Sequence, residues 1–185
     1  MNRWDERYRA GERSDSEPAP VVLRAAKLHP PGRALDLACG PGRHALLLAS
    51  LGWDVTAVDS SQVALEMLKE RAASQGLSVD ARLADLEAGE FTIEPAGYDI
   101  ICDCFFLHRE LFDPIRAGIR PGGLVAAAFP MVGGPPGASP MNPNYLLHPG
   151  ELRALLDGLT LLHYFEGRED GSTHARPVAE AIAQK

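Results

Sequence analysis

The sequence predicts an α/β fold, a mainly parallel sheet with helices on both faces. Three observations carry this reading. Apolar runs of strand length alternate with segments of helical spacing from residue 33 to residue 129. A glycine-proline-glycine turn, "CGPG", joins the first strand to the first helix of that series. The tail then breaks the alternation with two strand-like runs joined by a polar link too short for a parallel crossover, so the closing pair is antiparallel.

Each element has a local reason. "PVVLRAAKL" reads as a short helix halted before Pro30 and Pro31. "RALDL" is a buried strand, and "RHALLLASL" a helix stopped by Gly52, a residue suited to the left-handed position past a helix end. "DVTAV" is the second strand. Ala64, Met67, Leu68 and Ala72 fall at helical spacing in the helix after it, which ends at Gly76. "LSVDARL" and "YDIIC" are the third and fourth strands, and "RELFDPIRAGI" is helical, with Pro114 breaking or beginning it. "RPGG" makes a turn that launches "LVAAAF". "PGELRALLDGL" is a short helix started by Pro149, and "TLLHYF" and "RPVAEAIA" are the closing strands. No internal repeat or second domain shows, so residues 1–185 read as one domain. Residues 1–20 are a lid or flexible segment, and the Pro/Gly-rich stretch 130–149 is a long substrate loop.

Composition narrows the function classes. The net charge is −7 with no basic block, which opposes a binder that tracks a nucleic-acid backbone. The start is charged from its first residues and is no signal peptide, and the longest apolar run, 124–129, falls far short of the ~20 residues a bilayer needs. Three cysteines, an odd number, suit free thiols in a reducing compartment. The expectation is a soluble cytoplasmic protein with no nucleic-acid or membrane partner.

The glycine loop carries the chemistry. Gly40, Gly42 and Ala45 fit G-x-G-x-x-A after a strand and at the opening of a helix, and Asp59 ends the next strand, where an acid suits ribose hydroxyls. Dinucleotides and S-adenosylmethionine share this geometry. A pyrophosphate over the loop would be repelled by a carboxylate at Asp36, whereas an ammonium and a sulfonium would be attracted. Asp36 therefore favours S-adenosylmethionine.

"LDLACGPGRHA", "VTAVDSS", "LADLE", "YDIICDCFFLHR" and "RPGGLVAAAF" together resemble the class I S-adenosylmethionine-dependent methyltransferases, over residues 33–129. "WDERYRAGE", "FFLHRELF" and "NPNYLLHPGELRALL" are most similar to small tellurite-resistance-like and thiopurine-methyltransferase-like members. The resemblance implies a Rossmann-like seven-stranded sheet with an antiparallel last strand. It implies that Asp36, Ala38, Gly40 and Gly42 surround the methionine part of the cofactor, and that Asp59 with Ser60 holds the ribose. Asp85 and Leu86 would meet the adenine, and Cys102 the cofactor's amino group. Amino-methylating members carry Asn/Asp-Pro-Pro-aromatic after the fourth strand. Here that segment is Asp103-Cys104-Phe105-Phe106, which speaks against a nucleobase or protein amide nitrogen as acceptor.

Other readings stand beside these. Asp36 also suits a cap or a satisfied core acid, and Asp85 a cap for the next helix. Cys102, Cys104 and His108 do not complete a tetrahedral metal set. Phe106, His108, Arg109 and Tyr145, with His148, fall on loops where open α/β sheets place ligands, and surface decoration is the alternative for each. Trp4, Tyr8 and Arg9 either pack over the cofactor or belong to a loose start. No general base is evident. The acceptor expected is therefore a small molecule that is already nucleophilic, such as a thiol or chalcogen. A non-catalytic S-adenosylmethionine-binding sensor or partner subunit is the alternative, and an NAD-dependent oxidoreductase the third reading.

Overall fold

A computed structural model describes residues 3–11, 17–134, 141–168 and 176–185. Seven strands form one sheet in the order β3-β2-β1-β4-β5-β7-β6. They are β1 (Arg33–Leu37), β2 (Asp54–Asp59), β3 (Asp80–Leu83), β4 (Tyr98–Cys104), β5 (Ile119–Pro130), β6 (Thr160–Gly167) and β7 (Val178–Gln184). β3, β2, β1, β4 and β5 run parallel, and β7 runs antiparallel to both β5 and β6. The closing pair is as expected; residues 169–175 of its connection lie outside the described residues.

The period-two pattern of the strands explains the layers. Ala34, Val55, Ala57, Ile100, Cys102 and Ala126 point to one face, where α2 (Pro20–Ala26), α3 (Arg43–Ser50) and α4 (Gln62–Ser74) bury Val21, Val22, Leu48 and Leu65. Leu35, Leu37, Ile101, Val125 and Ala127 point to the other, against α5 (Phe112–Gly118) and α6 (Glu151–Leu155), which supply Phe112, Ile115 and Leu152. A further short helix, α1 (Arg3–Arg9), has no fully buried residue. Among the described residues, no helix is long and apolar enough to cross a membrane.

Two local expectations differ in detail, and a third, that Pro114 breaks or begins its helix, is met. The third strand is only Asp80–Leu83, because Ser78 and Val79 precede the register in which Asp80 meets Thr56. "RPGG" lies inside β5 as an irregularity: Ile119 pairs with Tyr98, and the next pair is Leu124 with Ile100. Pro114 sits in the first turn of α5, after a 3₁₀ turn at Arg109–Leu111, where its missing N–H costs little.

Asp99, on β4, holds the amino-terminal ends of three strands together. Its Oδ2 accepts from the Arg33 N–H at 2.8 Å and from Arg120 Nη1 at 2.8 Å. Burial pushes this carboxyl up, but the Arg33 N–H and the Arg120 guanidinium outweigh it and hold it below the ordinary range. The ionised form is therefore the stabilising one, fully effective above the unfolded value of about 4 and lost as pH falls through the lower folded value. Asp99→Ala should cost about 1–3 kcal/mol at neutral pH. In urea denaturation, the gap between variant and parent should close as the pH drops below about 4.

Candidate functional site

A cleft of about 390 Å³ opens at the carboxyl ends of β1, β2 and β4, within the size range of ligand pockets. Its floor is the loop Ala38, Cys39, Gly40 and Pro41. Asp59 and Ser60 close one side, and Asp85, Leu86 and Glu87, following β3, extend it. Cys104, Phe105 and Phe106 at the end of β4 form the other side. Trp4 and Tyr8 of α1, together with Tyr145, stand over the opening.

The loop is shaped by backbone that ordinary residues avoid. Gly40 has φ +54°, and a Cβ there would lie 2.8 Å from the Tyr8 hydroxyl, so the absent side chain is what lets α1 approach. Gly42 has φ +86° and heads α3 without a side-chain cap. The cap comes from β1 instead: Asp36 Oδ2 accepts from the Ala45 N–H at 3.0 Å. Asp36 is fully buried, its Oδ1 makes no hydrogen bond, and His44 Nδ1 lies 3.7 Å from it. His44 Nε2 accepts from the Ala19 N–H at 3.1 Å, so the imidazole proton sits on Nδ1, toward Asp36.

Asp59 organises the other side of the loop. Its Oδ2 accepts from the Gly40 N–H at 2.7 Å and its Oδ1 from the Ser61 N–H at 2.8 Å. Burial pushes its pKa up against the backbone bonds from Ser61, Gly40 and Ser60. A carboxylate offers about four acceptor sites, so with the Ser60 amide also bonded to it at least one remains for a ligand. Asp85 Oδ1 accepts from the N–H groups of Glu87 (2.9 Å) and Ala88 (3.2 Å), which caps the turn, while the residue still lines the cleft.

The end of β4 is strained and apolar. Phe105 has φ +65°, a conformation that costs a non-glycine residue about 1–3 kcal/mol. It is held by its N–H donating to the Ala128 carbonyl at 2.8 Å, with the Arg43 guanidinium 5.0 Å above its ring. Burial, reinforced by the nearby carboxylates, pushes the thiols of Cys39, Cys102 and Cys104 well up, so they stay protonated. Asp103 is fully buried with no hydrogen bond to either oxygen, and burial pushes it up as well.

The structure thus brings Ala38, Gly40, Asp59, Ser60, Asp85, Leu86, Phe106 and Tyr145 around one cleft. It places five expected residues elsewhere. Asp36 lies beneath the loop as the α3 cap, and Gly42 packs on Leu68 of α4. Cys102 is fully buried in β4, its alternate neighbour Cys104 reaching the cleft instead. Arg109 is spent on the loop above, binding Glu151 at 2.6 Å and the carbonyls of Asn144 (2.7 Å) and Leu146 (3.1 Å). His108 precedes that 3₁₀ turn, its ring 6.4 Å from that of Phe106. The reading from residues passed over Arg43, His44 and Glu87, whose only signal was their position one or two residues from a motif.

The arrangement fits a nucleoside with a cationic arm and not a pyrophosphate. The α3 N-terminus is already capped by a carboxylate, and the Gly40 N–H is already given to Asp59, so two of the amides a phosphate would use are taken and a carboxylate stands beside each. The comparisons agree. Residues 34–123 match the family model described as a methyltransferase domain. Over those residues, just under half of its length, the chain is similar to methyltransferase domains.

Relatives and structures place the domain further. It is 36% identical over 92 residues to the probable S-adenosyl-L-methionine-dependent methyltransferase TehB of Haemophilus influenzae, covering 48% of this chain and 31% of that protein. It is 37% identical over 101 residues to the ubiquinone biosynthesis O-methyltransferase of Methylocella silvestris, covering 52% and 39%. The matched segments thus span about a third of these relatives. The crystal structure of TehB from Haemophilus influenzae superposes with a TM-score of 0.78 at 25% identity, over 98% of this chain and 67% of that one. The 1,6-didemethyltoxoflavin-N1-methyltransferase of Burkholderia thailandensis gives 0.74 at 22%, over 97% and 84%, and shares the fold.

The capping role of Asp36 is testable. As a buried acceptor for a helix amide, Asp36→Ala should destabilise the protein by about 1–3 kcal/mol. The shift should appear in the denaturant midpoint with the m-value unchanged. A variant as stable as the parent would remove the capping role.

Proposed function

We propose that the protein transfers the methyl group of S-adenosylmethionine to a small-molecule acceptor, a soft nucleophile of the thiol or chalcogen type. The observation that carries the cofactor half is the pair of carboxylates that occupies the loop amides. Asp59 would hold the ribose hydroxyls, Asp85 and Leu86 the adenine edge, and Ala38 with Gly40 the methionine arm, beneath which Asp36 adds negative potential. When bound, the cofactor supplies an activated methyl group on a sulfonium leaving group.

What remains for the chain is alignment and exclusion of water. Phe105 and Phe106 wall the acceptor side, and Tyr145 bridges to Glu87 Oε1 at 3.2 Å across the opening. The side chains at hand do not suggest a base. His44 lines the cleft, but its Nε2 lone pair is held by the Ala19 N–H. The Glu87 carboxylate, followed by burial, pushes the Tyr145 hydroxyl up, and the thiols are protonated. An acceptor that arrives nucleophilic needs no base. The compact cleft and the net charge of −7 favour a small molecule over a phosphate backbone.

Calorimetry should show S-adenosylhomocysteine binding with NAD binding weakly or not at all, and Asp59→Ala should weaken it by about 1–3 kcal/mol. Asp59 accepts from the ribose more strongly when ionised. Affinity should therefore fall as pH drops through its pKa, which burial sets above the ordinary value of about 4, and Asp59→Asn should flatten that profile. Tight NAD binding without a response to S-adenosylhomocysteine would sink the cofactor assignment.

The acceptor class is decided by S-adenosylhomocysteine release across thiols, selenite, tellurite, phenols, amines, RNA and peptides. Turnover is expected with the thiols or chalcogen oxyanions. Turnover confined to RNA or peptides would overturn the small-molecule reading, and none at all would favour a binding-only protein.

A further inference from the structure

The first helix raises a physical question. α1 has seven residues and no fully buried side chain, too short to be helical on its own and without a core face to hold it down. It nevertheless carries Tyr8 to the glycine loop and Trp4 to the cleft. Something polar must help fix it.

Asp5 supplies that contact. Its Oδ1 accepts from the Ser61 hydroxyl at 2.6 Å and from the Val63 N–H at 3.3 Å. Ser61 is the N-cap of α4 and fully buried, and its Oγ accepts from the Ala64 N–H at 3.1 Å. A hydroxyl has one proton and two lone pairs. With Ala64 on a lone pair, the proton goes to Asp5, and the bond to a carboxylate is of the stronger, charge-assisted kind. Ser61 and Asp5 therefore share the first amides of a thirteen-residue helix, an end at which a carboxylate is favoured. The backbone N–H of the same serine donates to Asp59 Oδ1. One residue thus meets the ribose acid on one side and the first helix on the other.

Spacing on α1 completes the picture. Asp5 and Tyr8 are three residues apart, on one helical face, and Trp4 stacks on Tyr8 with ring centroids 6.1 Å apart. Fixing Asp5 at the head of α4 swings Tyr8 over Gly40 and keeps Trp4 at the cleft.

We propose that Asp5 is the positioning residue that docks α1 over the cofactor loop, coupling it through Ser61 to Asp59. The proposal rests on the cofactor assignment, since the wall it sets in place is a wall of that cleft. Cofactor affinity then depends on a residue that touches no part of the cofactor.

The test is Asp5→Ala in the full chain, with Asp5→Asn as the conservative variant and the exposed Glu6→Gln as control. Two readouts are taken: S-adenosylhomocysteine affinity by calorimetry, and hydrogen exchange of residues 3–11 and of α4 without ligand. Asp5→Ala should raise the Kd about tenfold and speed exchange across 3–11. The α4 peptide and the melting temperature should stay near the parent's, because Ser61 still caps Ala64. Asp5→Asn keeps an acceptor oxygen and should fall between the two, and Glu6→Gln should match the parent. Parent-like affinity in Asp5→Ala overturns the proposal, whether or not exchange changes, as does parent-like exchange. If the parent itself fails to bind S-adenosylhomocysteine, the cofactor assignment falls, and the ligand-free exchange comparison still decides whether Asp5 holds α1.

Discussion

Among the described residues, β1, β2 and β4 bury three carboxylates at the carboxyl end of this sheet, and the arrangement of the cleft follows from how each is satisfied. Asp36 and Asp59 are kept in the dry interior by backbone N–H groups, the only donors a tight glycine loop can offer at that distance. Asp103 has no such donor, and burial drives it toward its neutral form. Negative potential is thereby concentrated beneath and beside the loop, with the loop amides already committed. A ligand bringing positive charge complements this site, and one bringing phosphate meets carboxylates where it needs donors.

The same economy of donors shapes the local structure. A helix headed by a left-handed glycine has no side chain of its own to cap it, so the cap for α3 is borrowed from the neighbouring strand. That bond ties the pitch of α3 to β1. On the other side of the loop, Asp59 ties the Gly40 amide to the start of α4. The loop is therefore braced from both strands before any ligand arrives, the preorganisation that a positioning enzyme requires.

The acceptor side is braced by different means. Arg109 gathers the carbonyls of Asn144 and Leu146 and the Glu151 carboxylate, fixing the returning half of the long loop against α6. Tyr145, held between these carbonyls, is then presented to Glu87 across the cleft. Phe105 is kept in a costly conformation by the Ala128 carbonyl and the Arg43 guanidinium, so the apolar wall is also fixed in advance. Residues 135–140 of that loop lie outside the described residues.

From residue 20 onward the sequence by itself determined the order of strands and helices, the antiparallel closing pair and the loop with its two flanking acids. Each depends on short-range pattern: period-two burial, helical spacing, and glycine where φ must be positive. It left open whether Asp36 touched a ligand or capped a helix, because both uses put the same residue at the same position before the loop. Only the fold shows that Asp36 is buried with its Oδ2 on the Ala45 N–H. Cys102 and Cys104 are alike in sequence and share a face of β4, and only the depth of the strand in the sheet sends the second to the cleft. Arg109 and Asp5 were still less legible. Their partners lie 35 to 58 residues away, and no local pattern encodes a contact that exists only once α6 and α4 are in place.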